Sequence, residues 1–298
     1  AFTPQGGGEA APAVSVEAGA LWMHAYDVVS VQNGRYVQGG GCTTVGVAGH
    51  VSSGGYGSFS KGFGTAAGNL LEAEVVTADG RALVCNARRN SDLYWALKGG
   101  GGGSFGVITR VTLRTFDLPE KFGWASGKIK ANSDDAYKRL IAQFMAFYAE
   151  HLFNPHWGEQ IHLNPRNELE LSLVSQGLSA ADSQALFAPF LAWVAASPDD
   201  YAITDEISIG AADARRWWDA DYHRTHGDSM RFDPRPDAPA HNAWWQGDGD
   251  QVSMFLHAYD SIWLPQSLLG ADQQGKLVDA LYNASRAYSL GLHFNKGM

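Results

Sequence analysis

The chain reads as two stretches of different periodicity. Up to Leu118, apolar and polar residues alternate in short runs: AVSVEAG, LLEAEVVTADG, RALVCNA and FGVITRVTLRTF each follow the two-residue repeat of a β-strand. In the last run Val107, Thr109, Val111 and Leu113 share one face, and Arg110, Thr112 and Arg114 the other. The Ala78-Asp79-Gly80 step between two of the runs has the chemistry of a hairpin turn. ALWMHAYDVVS and SDLYWALK carry helical spacing, the second opened by Ser91 or Asn90 as a cap.

Beyond Pro119 the apolar positions spread to the helical repeat. DDAYKRLIAQFMAFYAEHLF puts Tyr137, Leu140, Ile141, Phe144 and Phe147 on one stripe, and SAADSQALFAPFLAWVAAS predicts a second helix. Between them, EQIHLNPRNELELSLVSQ predicts two strands joined at Asn164-Pro165-Arg166-Asn167. QVSMFLHAYDSIWL predicts another strand, and residues 225–250, rich in Asp, Pro, His and Gly, a long loop. The expectation is an α+β chain with one domain over 1–118 and a second over 119–298, an antiparallel sheet covered by helices.

Composition narrows the partners. A chain of 298 residues, 45% hydrophobic and 18% charged, folds into one large or two medium cores. Its net charge of −9 lies in the back: residues 1–118 carry eight basic and eight acidic side chains, the rest fourteen and twenty-three. No Lys/Arg cluster offers counterion release, so nucleic acid and anionic membrane surfaces are excluded as main partners. No apolar run approaches the roughly 20 residues that span a bilayer. The opening AFTPQGGGEAA lacks the basic and apolar regions of a signal peptide, and nothing assigns a compartment. The start without methionine and the end in LGLHFNKGM, partway through an alternation, predict a piece of a longer polypeptide. With only Cys42 and Cys85, a disulfide scaffold and a four-cysteine zinc site are both out.

Glycine is the strongest signal, with 23 of 35 falling in the first 118 residues. They concentrate in GGGCTTVGVAGHVSSGGYGSFSKGFG, from Gly39 to Gly64, and in LKGGGGGSFGVITRV, with five in a row from Gly99 to Gly103. Such runs expose backbone N–H groups to a ligand. A Rossmann cradle needs strand, glycine turn and helix, whereas both runs read as leading to strands or loops. No Gly-Lys-Ser or Gly-Lys-Thr of a Walker loop occurs.

The ordered series GGGCTTVGVAGH, GGYG, FGTAAGNLLEAEVVTADG and DLYWALKGGGGGSFGVIT resembles the berberine-bridge-enzyme-like branch of the vanillyl-alcohol-oxidase flavoproteins. The resemblance implies a PCMH-type FAD-binding domain over 1–118 and a substrate domain over 119–298. It implies an FAD cradle of Cys42, Thr43, Thr44, Val45, Gly46, Gly49, His50, Gly54, Gly55, Gly57, Asn69, Gly103, Gly106, Val107 and Ile108. It also implies that the Cys42 sulfur is bonded to C6 of the flavin, and a thiolate among backbone N–H groups is the nucleophile such a bond needs. Cys85, in a strand-like run, reads as core.

His50 has both a structural and a chemical reading. Tyr56 matches a tyrosine that in sugar-oxidising relatives takes the substrate hydroxyl proton, although a phenol, with an ordinary pKa near 10, needs a helpful neighbour to do so. Thr43, Ala48 and Gly68 stand where the family usually has proline, glycine and aspartate. No counterpart of the family's histidine-bearing phosphate loop or closing asparagine-tyrosine motif occurs, so a second, histidyl flavin link would lie outside this chain.

The implied activity is that of an FAD-linked oxidase taking hydride from an alcohol or amine carbon, with a small-molecule substrate and molecular oxygen as partners. A flavin dehydrogenase with another acceptor, and a catalytically silent binding module, are the alternatives. His151, His156 and His162 match no zinc spacing, and Asp248-Gly249-Asp250 lacks the calcium-loop pattern, so no metal is expected. Trp217-Trp218 and Trp244-Trp245 read as packing, with a substrate-facing role open for one of them.

Overall fold

The central strand of the front unit, β5 (Val107–Asp117), organises everything around it. In a computed structural model that describes residues 1–227, 229–249 and 260–294, the chain forms two units. One comprises Ala1–Pro119 with Asp213–Phe255, the other Glu120–Ala212 with Leu256–Met298.

In the front unit β5 pairs antiparallel with β1 (Ala13–Glu17), β3 (Leu70–Val76) and, at its far end, β2 (Arg35–Val37). The strand β4 (Ala82–Asn86) follows β3 through the expected hairpin, closed by Thr77 N–H to Arg81 O (3.0 Å) and Gly80 N–H to Thr77 O (2.9 Å). The predicted apolar face of β5 is buried only in its second half, where Thr112 of the other face is buried as well. Val111 and Leu113 are buried, but Val107, paired with Val76 at the end of β3, is 69% exposed. Helix α1 (Trp22–Tyr26) continues into a π-helical turn at Asp27–Gln32, and α2 (Val47–Ser52), α3 (Ser60–Phe63) and α4 (Ser91–Leu97) are equally short. Asn90 precedes α4, yet its amide donates back to Val84 O instead of capping the helix.

The second unit has a sheet of β7 (Trp157–Asn164), β8 (Glu168–Gln176), β6 (Lys121–Ala131) and β9 (Tyr201–Asp213), with Leu290–His293 on the outer edge of β7. Helices α5 (Asp134–Phe147) and α6 (Ala180–Ala195) and the segment Gln274–Ser285 share one core with the sheet. The predicted stripe is the buried one: Tyr137, Leu140, Ile141, Phe144 and Phe147 meet Ile129, Ile161, Leu171, Phe187 and Phe190. Ser133 caps α5 through Ala136 N, and Ser179 with Asp182 forms a capping box on α6. The α+β class and the helix-covered antiparallel sheet are thus as expected.

Three expectations are corrected. Residues 213–255, assigned from sequence to the second domain, pack within the front unit, because Trp218 stacks on Tyr26 and Asp248 hydrogen-bonds to Thr43. The stretch 225–250 is no simple loop: Met230–Phe232 and Ala243–Trp245 form a hairpin in register Met230↔Trp245. The strands β6 and β9 were not anticipated; in β6 the alternate buried positions Gly123, Ala125, Gly127, Ile129 and Ala131 are mostly small residues, which weakens the apolar signal. Most of the predicted strand 251–264 falls on residues 250–259, outside the described part.

Phe144 is fully buried and meets Phe190 edge-on, so Phe144→Ala removes a ring the second core cannot refill. Urea denaturation is expected to show a loss of about 3–5 kcal/mol in that unit. Ile203→Thr, on an exposed strand position, should change it by less than about 0.5 kcal/mol.

Candidate functional site

The segment Gly39–Gly46 is laid along the start of α1. Trp22 N–H donates to Val45 O (3.0 Å), Met23 N–H to Thr43 O (3.0 Å) and Val47 N–H to Ala20 O (3.0 Å). Loop carbonyls therefore take up donors that a helix start leaves without intrahelical partners. Behind the segment stands an aromatic wall: Trp22 stacks on Tyr26 (5.5 Å) and Tyr26 on Trp218 (4.1 Å), and the Tyr26 hydroxyl donates to Gly40 O (2.6 Å). A Cβ on Gly39 would sit 2.4 Å from the Trp22 ring, and one on Gly57 1.7 Å from Gly39 O. Only side-chain-free backbone fits between wall and loop at these two positions.

Cys42 is half-buried in this segment, while Cys85 lies fully buried in β4, where burial raises its thiol pKa; the two do not form a bridge. Next to Cys42, Thr43 is fully buried and uses every polar group. Its N–H and Oγ1–H both donate to Asp248 Oδ2 (2.8 Å each), its hydroxyl oxygen accepts from Trp245 N–H (3.4 Å) and its carbonyl from Met23. Thr44 and Val45 are exposed.

The first glycine run enters α2 at Gly46, which corrects the expectation that neither run opens a helix. The strand before it is antiparallel to its neighbour, so the unit still lacks the parallel βαβ arrangement of a Rossmann cradle. On α2, His50 Nδ1 accepts from the Trp22 indole N–H (3.0 Å), which leaves Nε2 protonated to donate to Tyr56 O (2.9 Å). Burial holds this imidazole below its ordinary pKa, partly offset by the Tyr56 carbonyl. His50 is thus a neutral strut that fixes the Tyr56 backbone, while the Tyr56 side chain is 43% exposed. In α3, burial pushes the Lys61 ammonium down to about 8.

The two glycine runs meet. Gly101 N–H donates to Ser52 O (2.9 Å), and a Cβ on Gly99 would lie 3.5 Å from Gly54 Cα. Along this junction Gly46, Gly49, Gly54 and Gly103 have open space where a side chain would be, whereas Gly55 is closed off by Ala66 and His50. The result is bare backbone in the run that also carries Cys42, able to accept a flat, hydrogen-bonding ligand.

Other predicted cradle residues stand apart in role. The Asn69 amide donates to Phe63 O (2.7 Å) and Thr65 O (3.0 Å), tying its own turn. Gly106 packs on Val75, and Ile108 pairs with Val75 inside the sheet. Residues the sequence did not single out, Trp22, Tyr26 and Gln38, carry the wall; Gln38 is fully buried and donates to Gly39 O (2.9 Å). Among the described residues no group of three or more His, Cys, Asp or Glu gathers as for a metal, and no helix is long and apolar enough to cross a membrane.

Residues 9–86 match the FAD binding domain family. The FAD-linked oxidoreductase malF of Malbranchea aurantiaca is 49% identical over 121 residues, 40% of this chain and 20% of that protein. A VAO-type flavoprotein oxidase of Thermothelomyces thermophilus is 42% identical over 147 residues, 47% of this chain and 25% of that one. The chain therefore matches only a quarter or less of these relatives' lengths. Among solved structures, a VAO-type flavoprotein from Myceliophthora thermophila superposes with a TM-score of 0.67 at 28% identity, covering 92% of this chain and 45% of the other. A carbohydrate oxidase from Microdochium nivale gives 0.54 at 26%, covering 70% and 42%. With an FAD binding domain over residues 9–86 and a helix-covered antiparallel sheet, the chain is similar to VAO-type flavoproteins and FAD-linked oxidoreductases.

Proposed function

We propose that the chain is the FAD-holding part of an oxidase that takes hydride from an alcohol or amine carbon of a small molecule, with Cys42 as the covalent anchor of the cofactor. One observation carries this reading: two glycine runs from distant parts of the sequence meet, and the first of them carries a half-buried thiol, Cys42. Bound FAD supplies a two-electron acceptor for the substrate hydride and passes the electrons on to oxygen. The relatives named as oxidases support the oxygen step, and a carbohydrate oxidase among the structural neighbours supports a hydroxylated substrate.

The chain's own residues divide the remaining work. Backbone at Gly46, Gly49, Gly54 and Gly103 would hold the cofactor. Cys42 would anchor it through its sulfur, a two-electron oxidation in which the thiol proton and a ring proton would be lost and molecular oxygen would take up the electrons. Tyr56, whose carbonyl His50 holds, would take the substrate hydroxyl proton in its phenolate form, at the phenolate oxygen.

Mass spectrometry of the tryptic Cys42 peptide is expected to show the added flavin, and Cys42→Ala should release flavin into the acid supernatant. Unmodified Cys42 in yellow, FAD-replete protein defeats the covalent claim. For a substrate found by peroxide release, Tyr56→Phe should lower kcat by about 10²-fold or more with KM little changed. An unaltered kcat removes Tyr56 from the reaction.

His50 also gives the front unit a pH dependence. Its folded-state pKa is depressed, so its contribution is fully present above its unfolded value of about 6.5 and is lost as pH falls through the folded one. The thermal midpoint should fall between pH 7 and 5, and less steeply in His50→Gln, which keeps a donor and an acceptor but does not titrate. An identical slope in both proteins would acquit His50.

A further inference from the structure

We infer that Asp248 is a positioning residue for the Cys42 turn, holding the thiol in the orientation that covalent attachment of the flavin requires. The inference rests on the Cys42 linkage proposed above and adds to it a residue 205 positions from Thr43 in sequence. Three facts carry it. Asp248 is buried, only 9% exposed, and its Oδ2 accepts from both the N–H and the hydroxyl of Thr43 at 2.8 Å. Thr43 adjoins Cys42, is itself fully buried, and has its remaining polar groups taken by Trp245 N–H and Met23 N–H. Neither bond involves a group exposed at the ligand-facing band, so the pair acts on the turn and not on the ligand.

The physics favours a locking role. A carboxylate accepting two hydrogen bonds on one oxygen, away from bulk water, makes bonds stronger than neutral ones. These bonds, with those from α1 to the carbonyls of Thr43 and Val45, fix the backbone on the C-terminal side of Cys42, while the Tyr26 hydroxyl holds Gly40 O on the N-terminal side (2.6 Å). The turn that carries Cys42 is thus held at both edges. Without Asp248 a buried N–H and hydroxyl lose their acceptor, and the turn must rearrange to find another.

The test compares Asp248→Ala, Asp248→Asn and Thr43→Val in the full chain expressed with FAD. Flavin is measured before acid precipitation, as total bound, and in the protein pellet afterwards, as covalent. The Asn variant keeps an amide oxygen that accepts the same two bonds and serves as the conservative rescue. Asp248→Ala is expected to lower the covalent fraction roughly tenfold, with total flavin within about twofold of wild type, and Asp248→Asn to retain most of it. Thr43→Val, which loses the hydroxyl arm alone, should fall between them and carries the test if the Ala variant does not fold. An unchanged covalent fraction in Asp248→Ala, or equal loss in Ala and Asn, overturns the inference.

Should wild type itself hold no acid-stable flavin, the linkage reading falls, and the Cys42 thiol then reports on Asp248 directly. Iodoacetamide alkylation of Cys42, followed by peptide mass, is expected to change about threefold or more in Asp248→Ala and little in Asp248→Asn. Equal rates in all three proteins would overturn the positioning role as well.

Discussion

The front unit depends on one close approach: the Gly39 backbone pressed between the Trp22 ring and Gly57. That contact leaves no room for a single extra carbon on either glycine, and it brings the segment carrying Cys42 against the segment carrying Tyr56. Dispersion from the wall of Trp22, Tyr26 and Trp218 holds one side, and the hydrogen bonds of Gln38 and Tyr26 to the loop carbonyls hold the other. A rigid scaffold behind a bare surface is what a large cofactor needs, since each group that must order on binding subtracts from affinity.

His50 shows how a residue's role follows from its partners. By type and position it could act on a ligand, yet both of its ring nitrogens are engaged, one by an indole and one by a backbone carbonyl. Its chemistry is thereby diverted into architecture, and Tyr56 is left as the polar side chain of that turn with an exposed ring. The contrast between a half-buried Cys42 and a fully buried Cys85 works the same way. Two identical side chains are separated in reactivity by solvent access.

Local patterns in the sequence were the reliable ones. The α5 stripe, the hairpin after β3 and the β7–β8 pair are each written within about twenty residues, and periodicity or turn chemistry suffices to see them. The glycine runs and Cys42 were visible for the same reason. What could not be read is non-local. β6 is a strand because β8 lies beside it, Asn69 turns inward because Phe63 and Thr65 offer carbonyls, and Trp218 belongs to the front unit because Tyr26 is there. Asp248 was passed over as a failed calcium loop, and no local signal ties it to Thr43.

The return of residues 213–255 to the front unit has a consequence for the order of events at the ribosome. A nascent chain that has just emerged as far as Pro119 holds every strand of the first sheet but lacks Trp218, Trp245 and Asp248. Its aromatic wall is then one ring short, and its thiol-bearing turn has no acceptor for Thr43. Contacts of such long sequence separation form late and slowly. The wall is therefore finished only after the intervening unit has been synthesised, and the turn that carries Cys42 gains its contact with Asp248 at a late step of assembly.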